Sequence, residues 1–236
     1  MKPKIIQQGA EAIISLNKNN QILKNRIKKS YRLPEIDNKL RKSRTKAESK
    51  IINKLNKIIP VPKIISTDKE NIIMQYIRGK KLSEHLESLN YKEISKQIGK
   101  ILTKLHNQNI IHGDLTTSNM IYVENDKQDN IINNSKTIKV HDQITNSKIS
   151  ENKTNISNKN NFKVYLIDFG LGFHSKKIED KAVDLHLLKQ ALNAKHYKIA
   201  EGAFKIILKN YKPEKAKLII QRIKVIESRG RYKNKH

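Results

Sequence analysis

The chain has 236 residues, a formal net charge of +27 from 49 Lys and Arg against 22 Asp and Glu, and no cysteine. The absence of cysteine excludes a disulfide framework and a thiolate metal site. The N-terminus lacks a signal-peptide stretch, and no apolar run approaches the roughly eighteen residues of a membrane span. We therefore expect a cytoplasmic protein without membrane contact, with nuclear residence depending on the source organism. The charge favours a polyanionic partner such as nucleic acid, although abundant Lys, Asn and Ile are also typical of AT-rich coding.

The first 77 residues predict a small sheet with one main helix, the N-terminal lobe. Five short apolar runs separated by turn-forming residues indicate strands at 4–8, 13–16, 22–27, 63–65 and 71–77. A helix is predicted to begin with Asp37 as its N-cap and to end before Pro60. The residues at helical spacing along its inner face are Leu40, Arg44, Ala47, Ile51, Leu55 and Ile58. Glu48 lies beside this stripe, so its side chain can point toward the sheet.

Residues 78–236 predict a second, mainly helical lobe that follows a linker at 78–80. An amphipathic helix runs from Ile94 to Leu105, and helices are expected again from about Asp180. The strand 120–123 has its natural partner in 164–167. Between these strands, residues 125–161 contain ten Asn and neither Gly nor Pro, which indicates a disordered or extended insertion. Residues 228–236 form a basic tail without a core face.

Two loops about fifty residues apart carry the chemistry. The first runs from His112 to Ile121 and places Asp114 five positions before Asn119. The second places Asp168 on a tight turn that follows an apolar run. Together the loops supply what phosphoryl transfer from Mg-ATP requires, namely one group that orients an attacking hydroxyl or water and two oxygen ligands for a hard cation.

A sheet with one helix, a linker and a helical lobe with such loops resembles the two-lobe plan of protein kinases, an α+β fold. The resemblance implies that Lys24 reaches the ATP phosphates, that Glu48 pairs with it, and that Asp114 is the catalytic-loop carboxylate. It further implies nucleotide contacts and two metal ligands, and these positions are Gly9 and Ala10 in the phosphate loop, Gln75 to Ile77 in the hinge, and Asn119 and Asp168 for Mg²⁺. Taken singly, a strand lysine or a helical glutamate is usually a solvated residue.

Two neighbouring residues are expected to support the first loop. His112 is predicted to pack beneath the loop and not to act as a general base. Asp184 is predicted to brace the loop from below, as the corresponding helix aspartate does in kinases. A favourable charge in the first turn of a helix explains Asp184 nearly as well.

The sequence departs from ordinary kinases in ways that indicate a minimal core. The phosphate loop has only Gly9 of the usual three glycines, and Glu11 places a carboxylate where phosphates are expected. Gly113 replaces the arginine that would hold a phosphorylated activation loop. Only about ten residues separate Gly170 from Asp180, and no Ala-Pro-Glu follows, so no platform for a peptide substrate is predicted.

These departures resemble the atypical kinase subunit of the KEOPS (EKC) complex, called PRPK in animals. The motifs that carry the resemblance are Gln8-Gly9-Ala10-Glu11-Ala12, Lys24-x-Arg26, Lys29-x-Tyr31-Arg32-x-Pro34-x-x-Asp37, Leu40-Arg41 with Arg44-Thr45 and Glu48, both loops, Glu179-Asp180-Lys181-x-Val183-Asp184-Leu185, and Arg229-Gly230-Arg231. The family usually has Ala where Ser49 follows Glu48. The resemblance implies a Ser/Thr kinase or ATPase that supports threonylcarbamoyladenosine formation in tRNA, with the KEOPS catalytic subunit, other KEOPS subunits and tRNA as partners. For RNA contact we expect Arg229, Arg231, Lys233 and Lys235 of the tail.

Three alternatives stay open at this point. A small-molecule kinase of the aminoglycoside or choline type shares the His-Gly-Asp loop, but about 55 residues after Asp180 leave little room for an acceptor site. A RIO-type kinase is closer in size, although the run from Lys29 to Asp37 favours the KEOPS family. A tRNA-binding scaffold with a silent ATP site is opposed by the intact set of catalytic residues.

Overall fold

The computed structural model describes residues 3–124 and 162–231, and these contain ten strands and six α-helices. The strands are β1 (Lys4–Gln8), β2 (Ala12–Leu16), β3 (Gln21–Arg26), β4 (Ile64–Thr67), β5 (Asn71–Gln75), β6 (Lys80–Lys81), β7 (Ile110–Ile111), β8 (Met120–Glu124), β9 (Phe162–Leu166) and β10 (Phe173–His174). The helices are α1 (Pro34–Leu55), α2 (Leu82–His85), α3 (Tyr91–Asn107), α4 (Ile178–Lys195), α5 (Ala200–Asn210) and α6 (Ala216–Arg231). The predicted insertion at 125–161 and the predicted RNA contacts Lys233 and Lys235 lie outside the described residues.

The first five strands form one antiparallel sheet in the order β1-β2-β3-β5-β4. The predicted sheet with one helix is therefore present. On the central strand β3, side chains two residues apart lie on one face of the sheet. This alternation buries Lys24 and Arg26 together, on the face that meets α1.

The helix α1 differs from its prediction at its start and in its buried face. It begins at Pro34, which is favoured at the first helical position, with Leu33 as N-cap. Asp37 is not the N-cap but a buried residue of the first turn, where its carboxylate accepts a hydrogen bond from Arg41 at 2.7 Å. The stripe was also misplaced at Ala47, which is exposed, because the buried row passes through Arg41, Thr45 and Glu48 instead.

The second part of the chain is built from α3 to α6 and the β8–β9 hairpin. The predicted partnership of these two strands is confirmed, with Met120 opposite Leu166 and Tyr122 opposite Val164. The apolar face of α3 packs on α5. The two helices are close at Gly99, where an added methyl group would lie 2.5 Å from the carbonyl oxygen of Ile207. Together with the sheet and α1, these elements give the predicted α+β architecture, and a division at residues 77 and 78 stays a prediction.

Several short elements were not predicted. The strand β6 pairs with β8, so Lys80 belongs to a strand and not to a linker, and α2 follows it directly. The strands β7 and β10 pair just before the first loop and just after the second. Elements of two to four residues carry too little periodicity to be detected in a sequence. Within residues 3–124 and 162–231, no helix is long and apolar enough to cross a membrane.

Candidate nucleotide and catalytic site

A buried cluster of charges lies where the sheet meets α1. The ammonium of Lys24 donates to Glu48 Oε1 and to Asp168 Oδ1, both at 2.7 Å. Glu48 is only 1% exposed and Lys24 5%, while the side chain of Asp168 is 48% exposed. The structure thus brings together three residues that lie 24 and 144 positions apart in the sequence.

Arg26 is a fourth member of the cluster. In the sequence it was noted only as part of a motif and was not predicted as a site residue. Its guanidinium donates to Glu48 Oε2 at 2.6 Å and is 4% exposed. A methyl group added at Gly170 would lie 3.3 Å from Lys24 Nζ and 3.5 Å from Arg26, so this cluster also faces the second loop. A buried carboxylate with two cations agrees with the rule that buried charges are paired. The signal was available, because residues two apart on a strand share a face.

Asp168 is held in an uncommon conformation at the mouth of this cluster. Its φ of 60° lies in the left-handed region, which non-glycine residues adopt at a cost of roughly 1–3 kcal/mol. The backbone N–H of Gly170 donates to Oδ1 at 3.1 Å. Burial acts to raise the pKa of Asp168, but the charge and hydrogen bond of Lys24 outweigh it and hold the pKa below its ordinary value. The carboxylate is therefore ionised at neutral pH, as a cation ligand must be.

The first loop is braced from below, as expected. The carboxylate of Asp184 is fully buried and accepts the backbone N–H of His112 at 2.7 Å and of Gly113 at 2.9 Å. The buried ring of His112 lies 4.6 Å from that of Phe169 and contacts the carbonyl oxygen of Ile167 at 3.1 Å. Both residues hold the loop, and His112 faces the protein interior and not the cleft.

Asp114 and Asn119 are in contact at the exposed side of this loop. The Asn119 amide nitrogen donates to the carboxylate and to the carbonyl oxygen of Asp114, both at 2.9 Å. Since the amide nitrogen is used in this way, the amide oxygen of Asn119 remains for another ligand. Asp114 is exposed, which suits a group that must meet an incoming nucleophile.

A cavity of about 470 Å³ adjoins the charge cluster. Its wall contains four predicted site residues, which are Lys24, Glu48, Asn119 and Asp168. The cavity is also lined by the apolar side chains of Ile14, Ile22, Met74 and Ile121 and by the predicted hinge residues Gln75 and Ile77. A cavity with both apolar side chains and charged groups in its wall fits a flat ring joined to a chain of phosphates.

Two other predicted contacts lie just outside the cavity wall. Gly9 and Ala10 are exposed in the turn between β1 and β2, whereas Ile6 and Gln7 of β1 line the cavity. Sequence reasoning did not identify Lys195, which also lines it from the last turn of α4. No local signal marks this lysine, because only the packing of α4 brings its end to the cleft.

The donor set fits a magnesium ion with its nucleotide. An ionised carboxylate at Asp168 and an amide oxygen at Asn119 are the hard oxygen ligands that Mg²⁺ uses together with phosphate oxygens and water. No group of three or more His, Cys, Asp or Glu that could hold a metal on its own is present in the described ranges. The residues therefore suit an ion that arrives with its phosphates.

The predicted RNA-binding tail begins as a helix. Residues 228–231 continue α6, and a basic tail at 228–236 stays a prediction. The guanidinium of Arg229 is 62% exposed and lies 3.5 Å from Glu179. Arg231 ends the helix, and nothing in the described residues tests its predicted contact with RNA.

Comparisons with known proteins identify the family. The RIO domain family model matches residues 15–161. A KEOPS complex subunit Bud32 of Pyrococcus abyssi is 38% identical over 251 residues, which cover 98% of this chain and 97% of the relative. The chain belongs to the Bud32 family of RIO-domain proteins. This assignment agrees with the resemblance to the KEOPS kinase subunit, and it also includes the RIO domain that was considered as an alternative.

Two further matches are a longer relative and a solved structure. A probable bifunctional tRNA threonylcarbamoyladenosine biosynthesis protein of Methanobrevibacter smithii is 37% identical over 238 residues, which cover 97% of this chain but 36% of that protein. The Rio2 kinase of Chaetomium thermophilum, solved as an ADP/Mg²⁺-phosphoaspartate complex, matches with a TM-score of 0.56 and 14% identity, over 97% of this chain and 70% of that one. At this identity the second match shows the kinase-like fold alone, and it confirms the fold predicted for this Bud32-family chain.

Proposed function

We propose that this protein is the atypical kinase or ATPase subunit of a KEOPS complex, and that it uses Mg-ATP to support threonylcarbamoyladenosine modification of tRNA. The observation that carries the proposal is Lys24, whose ammonium joins Glu48 to Asp168 at 2.7 Å each, in the wall of a cavity that apolar side chains also line. This is the arrangement that kinases use to hold a nucleotide triphosphate beside a metal ligand.

Each residue receives one role in the reaction. Lys24, held by Glu48, binds phosphate oxygens, while Asn119 and Asp168 hold Mg²⁺, which would neutralise charge on the β- and γ-phosphates. Asp114 orients the attacking hydroxyl or water and accepts its proton. The bond between the γ-phosphorus and the bridging oxygen breaks as the new one forms, so ADP leaves with the electron pair.

The short segment after Asp168 supports hydrolysis or autophosphorylation over broad protein phosphorylation. Gly172 donates to the carbonyl oxygen of Phe169 at 2.9 Å, β10 pairs with β7, and α4 begins at Ile178. Residues 169–177 therefore offer no segment on which an extended peptide could be aligned with Asp114.

The partners are proposed from the relatives. One is named as a KEOPS complex subunit, and another carries a matching region in one chain with a longer remainder and is named for tRNA threonylcarbamoyladenosine biosynthesis. The presence of the matching region within that longer chain supports a direct partnership between this protein and the catalytic subunit of the complex. The net charge of +27 supports contact with tRNA.

The test is phosphate release from Mg-ATP by the purified chain, alone and with tRNA and the KEOPS catalytic subunit. Asp168→Ala is expected to abolish release, and Asp180→Ala, which removes a carboxylate from the first turn of α4, is the matched control. Release that requires the partners and is absent in Asp168→Ala supports the proposal. Equal release by Asp168→Ala and the control would refute the active-site assignment, and no release under any condition would indicate a scaffold.

A further inference from the structure

The turn that should cover the phosphates contains a carboxylate, and this carboxylate is already paired. Glu11 Oε2 accepts from Arg44 at 2.7 Å, and Arg32 lies 3.5 Å from Oε1. In the same turn, the ammonium of Lys29 donates to the carbonyl oxygen of Ala10. Three cations from outside the turn thus contact two of its neighbouring residues.

The three cations belong to the motif that distinguishes this family and that the proposed catalytic roles leave unexplained. Two of them also contact the buried carboxylate of Asp37, which accepts from the backbone N–H of Lys29 at 3.3 Å and lies 3.6 Å from Arg32. The same carboxylate accepts from Arg41 at 2.7 Å. Burial acts to raise the pKa of Asp37, but its bond to Arg41 and the other contacts prevail and lower it. Lys29 and Arg32 therefore rest on an ionised residue of α1.

Arg44 also connects this turn to the catalytic cluster. Arg44 and Glu48 are four residues apart, so they lie on the same side of α1. Glu48 holds Lys24 at 2.7 Å, and Arg44 holds Glu11 at the same distance. One helix therefore sets both the lysine beneath the proposed phosphates and the turn above them.

We propose that Arg44 and Arg32 cancel the charge of Glu11 in the phosphate loop, so that a triphosphate can lie below it. The turn continues from β1, whose residues Ile6 and Gln7 line the cavity, so an unpaired carboxylate at Glu11 would repel a polyanion there. This inference rests on the proposed binding of Mg-ATP.

The contact is partly open to solvent, which makes it testable without loss of the fold. The side chains of Glu11 and Arg44 are 44% and 36% exposed, and pairs of this kind contribute little to stability. Arg44→Gln leaves Glu11 paired with Arg32, which lies 3.5 Å away. The matched control is Lys42→Gln, a similar loss of charge on α1 at an exposed residue that makes no ion pair with any residue in the described ranges.

The measurement is the Kd of Mg-ATP and of adenosine by calorimetry, with the full chain. Arg44→Gln should raise the Kd of Mg-ATP roughly three- to tenfold and leave that of adenosine unchanged, because the repulsion acts on phosphates. Glu11→Gln combined with Arg44→Gln should recover most of the loss, since it removes the unpaired charge. A merely structural role would weaken both ligands alike and would not be rescued.

The two proposals fail in different ways. If the unaltered chain binds Mg-ATP but Arg44→Gln matches Lys42→Gln, or if the double variant is no better than Arg44→Gln, the role of Glu11 is refuted and the proposed function stands. If the unaltered chain binds no Mg-ATP, the proposed function is refuted together with this inference. Thermal unfolding of each variant, measured in parallel, identifies any that has lost its fold.

Discussion

Replacing Asp184 by Asn tests how strongly the first loop depends on this residue, which lies in the second turn of α4 and not in its first turn. The side chain keeps its size, but one carboxylate oxygen becomes an amide NH2 group. The fully buried carboxylate accepts the backbone N–H groups of His112 and Gly113, and His106 Nε2 lies 3.3 Å away. All three partners can act as donors, so at least one would face the new amide NH2 group and lose its acceptor.

The magnitude follows from these contacts. A lost hydrogen bond to a charged group costs about 1.5–3 kcal/mol, and a buried N–H without a partner costs about 1–3 kcal/mol. We therefore expect Asp184→Asn to destabilise the fold by about 3–5 kcal/mol. For a chain of this size the melting temperature falls by roughly 2–4 °C per kcal/mol, so Tm should fall by about 6–20 °C.

The assay is calorimetric unfolding of Asp184→Asn beside Asp180→Asn. Asp180 lies in the first turn of the same helix, and its carboxylate contributes about 0.3–1 kcal/mol through the helix dipole. If the two variants melt within about 2 °C of each other, the loop does not depend on the carboxylate of Asp184. A large difference, with a matching loss of ATP turnover, indicates that the loop depends on this carboxylate.

Two further substitutions test the packing around the loop. Gly113→Ala should cost about 2 kcal/mol or more and lower ATP turnover, because φ is 80° and the new methyl group would lie 2.3 Å from the carbonyl oxygen of Leu171. Gly202→Ala in α5 should be neutral or stabilising, because its methyl group would meet the Tyr91 hydroxyl at an ordinary 3.6 Å, and equal effects of both variants in thermal unfolding would refute the clash. His196→Gln should make Tm fall less between pH 7 and pH 5. Burial lowers the pKa of His196 in the folded chain, so the unfolded chain takes up a proton first as the pH falls through 6.5, and this uptake destabilises the fold. An unchanged slope of Tm against pH would show that this histidine is not the group that resists protonation.

Much of the candidate site was predictable because short motifs keep their spacing. Asp114 and Asn119 occupy one tight turn, and five residues allow the amide to reach the carboxylate at 2.9 Å. Asp168 follows a buried strand that ends at the same cleft. The resemblance to kinases also implied that Lys24 would meet Glu48, and the two are in contact at 2.7 Å.

Some side-chain contacts at predicted positions were not predicted. Asp37 was expected to cap α1, but Arg41 and the backbone of Lys29 draw its carboxylate inward. Glu11 was expected to lie where the phosphates bind, and its pairing with Arg44, 33 residues away, was not predicted. Capping rules describe competition for hydrogen bonds among the residues next to a helix end, and they do not include the other charges that folding brings close.

The amino-acid sequence by itself determined the kind of fold and the chemistry, because hydrophobic periodicity and loop motifs are set by neighbours along the chain. Only the tertiary structure decided which charges share a site. Arg26 became a partner of Glu48 because β3 lies against α1, and Lys195 reached the cleft because the end of α4 is packed there. Electrostatic energy depends on distance through space, and folding alone determines those distances.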